Sequence, residues 1–247
     1  MVEVLVTGSK GLIGSSLVNR LKQEHNVDEF DIGDSLKNKR YDLIIHCAAH
    51  CVIREILKNP RLMIENIKVT TDVYEFARKT NSKKVIYFSS SRVNHSEGSP
   101  YTAGKLLGEH LAAAYDNCYG IKSLIIRPET VWDIGDWRVR VIPHWILCAL
   151  KNQPIVVYGD RDKVLSPILL EEFIDITMSL INVNGNISIS GQTTKVTDII
   201  NTILKITKSK SEVRFEAPEM TQPQITFQPD IMSSLTFEEQ LRKGMKW

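Results

Sequence analysis

The chain has 247 residues, 43% of them apolar and 24% charged, enough to bury a substantial core as one domain or a lobed pair. Its 31 basic and 29 acidic residues leave a formal net charge of +2 and are spread along the chain, which excludes a basic stripe for nucleic acid and means that any bound anion is met locally. Cys47, Cys51, Cys118 and Cys148 follow no secreted disulfide spacing, strand-like sequence begins at Val2 with no signal peptide ahead of it, and apolar runs such as 43–45 and 146–150 stop far short of a bilayer span. A reducing cytoplasm is therefore expected, and a membrane partner is not.

In chain order, short β-branched or apolar runs alternate with amphipathic stretches: 2–7, 12–22, 43–49, 63–79, 84–90, 101–117 and 123–127. That rhythm predicts βαβ units, and strands as uniformly apolar as Val85-Ile86-Tyr87-Phe88 predict helices on both faces, hence an α/β doubly wound parallel sheet. After Arg127 the pattern loosens around Pro128, Pro143, Pro154 and Pro167, and 205–212 reads as an exposed connection. A later helix is expected near 197–208. Thr236 and Glu239 form a capping-box pattern opening a last short helix, with Gly244 as its stop. Residues 1–130 are expected to form a dinucleotide-binding core to which 154–182 returns, while 131–153 and 183–247 form a small, reduced C-terminal substrate lobe.

The first motif is Thr7-Gly8-Ser9-Lys10-Gly11-Leu12-Ile13-Gly14, a G-x-x-G-x-x-G run between a strand and a helix. Gly8 permits the tight turn, Gly11 lets backbone approach a pyrophosphate, Gly14 allows close packing of helix on strand, and the helix N-terminus supplies oriented amides. A carboxylate ending the second strand would bind the adenosine ribose; Asp31 is the best placed, with Asp28 and Asp34 as competitors. Asp31 favours NAD, whereas Lys10 in the loop leaves room for the 2′-phosphate of NADP.

The second motif is Ser99-Pro100-Tyr101-Thr102-Ala103-Gly104-Lys105, a capped helix start that sets Tyr101 and Lys105 on one face. A tyrosine of ordinary pKa about 10 needs a neighbouring ammonium to serve as acid or base near neutral pH. Lys105 can supply it, and Tyr101 can then exchange the proton of a substrate hydroxyl while hydride leaves or reaches the same carbon. The strand 84–90 ends in Ser89-Ser90-Ser91 over the expected cofactor crevice; Ser91, with Ser90 as competitor, can donate a hydrogen bond to the reacting oxygen.

Taken in order, the glycine motif, Ala48-Ala49, the serine triplet, Y-x-x-x-K, Asn66 and Arg127-Pro128 resemble the extended short-chain dehydrogenase/reductase family of nucleotide-sugar epimerases, dehydratases and reductases. The resemblance implies a Rossmann core and a homodimer through helices that include 101–117. Carried over by position, it implies that Gly8, Gly11, Leu12, Ile13 and Gly14 hold the pyrophosphate, and that Asp31, Ile32, Ala48, Ala49, Ser89 and Arg127 line the dinucleotide. By the same resemblance Lys105 bonds the nicotinamide ribose, and Tyr101, Ser91 and Thr130 face a small-molecule substrate, a nucleotide sugar. His50 is a further candidate for the substrate pocket. Dehydratases of the family carry Asp-Glu after the active-site hydroxyl, where this chain has Arg92-Val93, so epimerisation or keto reduction is expected instead. Leu165 stands where relatives often carry an arginine for the nucleotide diphosphate.

Two competing readings remain. His46-Cys47-Ala48-Ala49-His50-Cys51 packs four potential ligands into six residues, but no second ligand pair lies at usable spacing, so no metal is expected. A dinucleotide-binding sensor or assembly subunit could keep this fold without chemistry; the presence of both Tyr101 and Lys105 favours an enzyme.

Overall fold

The computed structural model describes residues 1–94, 98–136, 140–217 and 228–245. They form two compact units, Met1–Pro128 with Ile174–Ser188 and Glu129–Phe173 with Ile189–Trp247.

The first unit begins with β1 (Glu3–Thr7), whose Val4, Leu5 and Val6 are at most 1% exposed, as befits a central parallel strand covered on both faces. Helix α1 (Leu12–Leu21) buries Leu17, Val18 and Leu21, and β2 (Asn26–Phe30) forms the half-exposed edge of the sheet. β3 (Leu43–His46), α2 (Ile53–Lys58) and α3 (Arg61–Thr80) follow; Asn81, in the left-handed region at φ 60°, ends α3. β4 (Lys84–Phe88), a 3-10 turn (Ser91–Asn94), α4 (Pro100–Tyr119) and β5 (Lys122–Pro128) complete the main run. β1 pairs in parallel with both β2 and β3, β3 with β4, and β4 with β5. Strand order thus reverses between β1 and β3, and the carboxyl ends of those strands frame a crevice suited to a dinucleotide.

The second unit contains β6 (Thr130–Trp132), α5 (Val141–Leu150), β7 (Ile155–Tyr158), β8 (Val164–Leu165) and β9 (Pro167–Leu169). Helix α6 (Leu170–Ser179) and β10 (Gly185–Ser190) carry the chain through the first unit and back. β11 (Thr194–Lys195), α7 (Val196–Thr207), β12 (Val213–Glu216), β13 (Ile231–Met232) and α8 (Phe237–Met245) finish it. The sheet order is β13-β10-β5-β4-β3-β1-β2, and three two-stranded ribbons join β6 to β9, β7 to β12 and β8 to β11.

The returning segment is therefore Ile174–Ser188, whereas the sequence placed it at 154–182. Residues 155–158, expected within that returning segment, form β7 and pair in parallel with β12, in the second unit.

The second core gathers Trp132, Trp145, Ile146, Ile199, Ile203, Phe237 and Leu241. Gln240, fully buried, serves three neighbours there: Oε1 accepts from Trp132 Nε1 at 3.1 Å, and Nε2 donates to the carbonyls of Pro167 at 3.0 Å and Leu235 at 3.2 Å. The capping box is present, with Thr236 N donating to Glu239 Oε2 at 2.7 Å and Glu239 N to Thr236 Oγ1 at 3.3 Å. Gly244 does not stop the helix. It lies within α8, where a Cβ would come 3.0 Å from Leu169 and 3.2 Å from the Trp132 ring, so the glycine lets the helix pack closely on both.

Replacing Gln240 by Leu leaves the Trp132 indole and the Pro167 carbonyl without these partners. A loss of about 2–4 kcal/mol in chemical denaturation is expected; a change below about 0.5 kcal/mol would show that the polar bridge is dispensable.

Candidate active site

The glycine loop is shaped by what its glycines keep out. Gly8 has φ +69°, and a Cβ on it would stand 2.6 Å from the Ala48 nitrogen; one on Gly14 would stand 2.1 Å from the Gly8 carbonyl oxygen. Helix α1 can therefore rest directly on the turn after β1, while the turn closes against the segment after β3. Gly8 N donates to Phe30 O at 2.8 Å and Gly11 N to Gly8 O at 3.0 Å. Gly11 caps α1 with no side-chain hydrogen bond, which leaves the first amides, at Leu12, Ile13 and Gly14, for an external acceptor. Ser9 Oγ is buried there without a hydrogen-bond partner. Uncapped amides, an orphaned hydroxyl and a wall without side chains fit a pyrophosphate.

The three candidate acids separate cleanly. Asp31 follows β2 and reaches the loop, its Oδ2 accepting from Lys10 N and its Oδ1 from Ile32 N, both at 2.8 Å. Asp34 braces it, accepting from Asp31 N at 2.8 Å, and pairs with Lys10 Nζ at 3.2 Å. Lys10 is thus offset by Asp34 beside a second carboxylate, an arrangement that suits ribose hydroxyls better than a 2′-phosphate. Ile32 stands 93% exposed next to Asp31. Asp28 is committed elsewhere, to Lys37 at 2.5 Å and to Lys39 and the Tyr41 hydroxyl, each at 2.9 Å. Burial alone would raise its pKa, and those hydrogen bonds outweigh burial and bring it to about 2.

Helix α4 carries the candidate pair, Tyr101 and Lys105. Ser99 Oγ accepts from Thr102 N at 3.2 Å and Pro100 occupies the first turn, so the helix begins immediately before half-buried Tyr101. Lys105, one turn on, is 7% exposed; its Nζ donates to Phe88 O at 2.8 Å and lies 5.4 Å over the Tyr87 ring. Desolvation lowers its pKa to about 8, against weaker upward pulls from Cys51, Cys47 and Glu109. The same strand end carries Ser89, Ser90 and Ser91, all buried. Ser90 Oγ accepts from Arg92 N at 3.3 Å and so braces the 3-10 turn that Ser91 opens.

Asn66 on α3 fixes the loop after β3, its Oδ1 accepting from His50 N at 2.7 Å and its Nδ2 donating to His50 O at 2.9 Å. That loop carries half-buried Ala48 and Ala49 past Gly8. The His50 ring pairs with Glu65 at 3.0 Å. His46 is a core residue: its ring nitrogens meet Thr7 at 2.8 Å and Thr70 at 3.1 Å, and burial, aided by the Lys105 charge, lowers its pKa to about 3. Among the described residues no group of three or more His, Cys, Asp or Glu side chains is placed to hold a metal ion. Thr130 belongs to the second unit, where its hydroxyl meets Glu129 at 3.3 Å. Leu165 packs against the apolar core of that unit.

Sequence reasoning missed Glu109. Its carboxylate, 8% exposed, accepts from Ser89 Oγ at 2.5 Å and from Arg127 Nε and Nη2 at 2.9 and 2.6 Å. The Arg127 guanidinium is committed to this pair and to Asn94 at 3.1 Å. The available signal was the spacing Tyr101, Lys105, Glu109, one helical stripe of i, i+4 and i+8.

The family model for NAD dependent epimerase/dehydratases matches residues 4–176. The chain belongs to that family. It is an enzyme of the extended short-chain dehydrogenase/reductase type. A putative UDP-glucose 4-epimerase of Methanocaldococcus jannaschii is 24% identical over 262 residues, covering 87% of this chain and 86% of the relative. Among solved structures, UDP-N-acetylglucosamine 4-epimerase from Methanobrevibacter ruminantium M1, in complex with UDP-N-acetylmuramic acid, has a TM-score of 0.85 at 24% identity, covering 100% of this chain and 97% of that one. UDP-glucose 4-epimerase of Thermotoga maritima with UDP-glucose has a TM-score of 0.87 at 18% identity, covering 99% and 97%. Likenesses at these identities establish the shared fold.

The buried ammonium has a measurable cost. Because the folded protein holds the Lys105 proton less tightly than the unfolded chain, with a pKa of about 8 against about 10.4, the penalty is present in full at neutral pH and is relieved as pH rises through that window. Lys105→Met is therefore expected to be more stable than the natural protein by about 2 kcal/mol at pH 7 and by little at pH 10.5. Thermal denaturation at the two pH values checks this; a variant less stable at pH 7 would refute it.

Proposed function

We propose that the chain is an NAD-dependent epimerase or keto-reductase acting at a carbinol carbon of a nucleotide sugar. The observation that carries this reading is the buried Lys105 ammonium, held against a backbone carbonyl one turn from Tyr101 on the same helix. An ammonium desolvated at this cost is well placed to stabilise a phenolate. NAD, when bound, supplies the hydride acceptor and donor. Gly8, Gly11, Leu12, Ile13 and Gly14 would hold its pyrophosphate, Asp31 its adenosine ribose, and the remaining N–H groups of Lys105 its second ribose.

Tyr101 as phenolate accepts the proton of the substrate hydroxyl, and Ser91 donates a hydrogen bond to the same oxygen as it becomes a carbonyl. In the return direction Tyr101 gives the proton back. If the keto sugar turns over before hydride returns, the carbon is epimerised; if it leaves, the net reaction is oxidation or, in reverse, reduction. Arg92 and Val93 in the turn after Ser91 offer no acid-base pair for eliminating water, which favours these outcomes over dehydration. The Lys10–Asp34 pair beside Asp31 favours NAD over NADP.

We further propose that the protein is cytoplasmic, where its four cysteines would stay reduced; among the described residues no helix is long and apolar enough to cross a membrane. Ile64 on α3 and Leu107 on α4, 59% and 45% exposed, support a homodimer through these helices. Light scattering at micromolar concentration should give twice the chain mass, and a monomer would remove this part of the reading.

The main test pairs NAD and UDP-glucose with the natural protein and Tyr101→Phe. Turnover, followed by product analysis and NADH absorbance, should fall about 10²–10⁴-fold in the variant while NAD affinity stays unchanged. Equal turnover in the two proteins would overturn the assignment of Tyr101. Tighter binding of NADP than of NAD would overturn that of Asp31.

A further inference from the structure

Glu109 is a buried carboxylate on the catalytic helix for which the reaction described above has no direct use. It lies two turns beyond Tyr101 and one beyond Lys105 on the same stripe of α4. Its two oxygens take hydrogen bonds from Ser89 Oγ at 2.5 Å and, in a two-point fork, from Arg127 at 2.9 and 2.6 Å. Ser89 continues β4 and its own N–H donates to Ile126 O at 2.8 Å, so the carboxylate joins α4 to the carboxyl ends of both β4 and β5. Arg127 extends the connection, its Nη1 donating to Asn94 Oδ1 at 3.1 Å at the far end of the 3-10 turn. Ser91 opens that turn. The clamp therefore grips the chain two residues before Ser91 and three residues after it.

We propose that Glu109 is a positioning residue of this active site: through Ser89 and Arg127 it locks the turn bearing Ser91 to the helix stripe that bears Tyr101 and Lys105. The inference rests on the reading of Tyr101, Lys105 and Ser91 given above. Removing an apolar pair from a core usually costs stability, whereas removing both members of a buried ion pair for apolar residues of similar size is often neutral or favourable. Net stability therefore gives little account of this pair, whereas the geometry it enforces, from Ser89 to Asn94, is specific. The carboxylate also acts on Lys105 electrostatically. Facing that ammonium are Cys47 and Cys51 from the loop after β3, His46 from β3, Tyr87 from β4, and Glu109 from α4 itself. Glu109 is the carboxylate of this set and opposes the desolvation that would strip the Lys105 proton.

The test uses Glu109→Gln, which keeps shape and loses charge, and the double variant Glu109→Leu/Arg127→Met, which replaces the pair by apolar groups. In the protein alone, hydrogen–deuterium exchange of the amides in 89–94 should quicken about tenfold in both, while exchange in β1 and β3 is unchanged. With NAD and UDP-glucose, kcat should fall about 10–100-fold and KM stay within about threefold, and the alkaline limb of the kcat profile should move to lower pH in Glu109→Gln. The double variant should recover the melting temperature of the natural protein but not its kcat or its exchange protection.

Recovery of kcat together with melting temperature would reduce the pair to a structural one and overturn the proposal. So would unchanged exchange in 89–94, which decides the matter even where UDP-glucose is not turned over. Loss of turnover in Tyr101→Phe with full turnover in Glu109→Gln would remove the positioning role alone, whereas full turnover in Tyr101→Phe would remove the reading beneath it.

Discussion

A lysine ammonium placed in the interior is the constraint around which the first unit is arranged. At 7% exposure Lys105 has exchanged water for one carbonyl, Phe88 O, and the face of one ring, Tyr87. Such a group can be held only if the helix carrying it is tightly seated on the sheet. The seating is visible at Gly108, where a Cβ would stand 2.2 Å from the Tyr87 hydroxyl oxygen, and at Gly104, where one would stand 2.8 Å from Met63 of α3. Small residues one turn apart thus bring α4 close to both neighbours. The same approach lets Glu109 reach Ser89 and Arg127, so charge burial and geometric order at this site have a common origin.

The cofactor side follows the same logic with backbone instead of side chain. Gly8 and Gly14 remove the atoms that would separate α1 from the end of β1, and the first helical amides are left uncapped. An anion there is met by oriented dipoles, in keeping with a chain whose net charge is close to neutral. The short link from β2 to β3 is held by side chains: Asp28 gathers Lys37, Lys39 and Tyr41, while Asp31 and Asp34 turn to the glycine loop. Three aspartates within seven residues thereby divide into one that secures the link and two that brace the glycine loop.

In the second unit the stabilising logic is mainly apolar. Trp132, Trp145 and Phe237 fill a core in which Gln240 is the polar bridge; Gly191 admits the Pro167 backbone where a side chain would not fit, and Gly244 brings α8 close to the Trp132 ring. Leu165 contributes to this packing rather than offering a charge. A nucleotide sugar bound by this protein would need its diphosphate neutralised by groups other than the one at position 165.

Much of this was readable in order along the chain, because it depends on local chemistry. Strand-to-helix transitions, the glycine spacing after β1, the capped start at Ser99-Pro100 and the Thr236–Glu239 box are each specified within a few residues, by backbone freedom, hydrogen-bond capacity and side-chain periodicity. Tyr101 and Lys105 sharing a helix face is likewise a consequence of helical pitch. What the sequence could not decide were matters of partner choice across long separations. Asp28, Asp31 and Asp34 look alike until Lys37, Lys39 and Lys10 are placed around them; Gly244 reads as a stop until Trp132 is found against it; residues 155–158 read as part of the segment returning to the first unit until β12 is found beside them. Glu109 is an ordinary helical acid in sequence and becomes a clamp only when Ser89, 20 residues before it, and Arg127, 18 residues after it, are brought to its two oxygens. The sequence by itself determined which chemistry the chain carries, since pitch and turn geometry act over a few residues. Tertiary structure decided which charges are buried, paired or left for a ligand, since those depend on groups that only folding brings within hydrogen-bond reach.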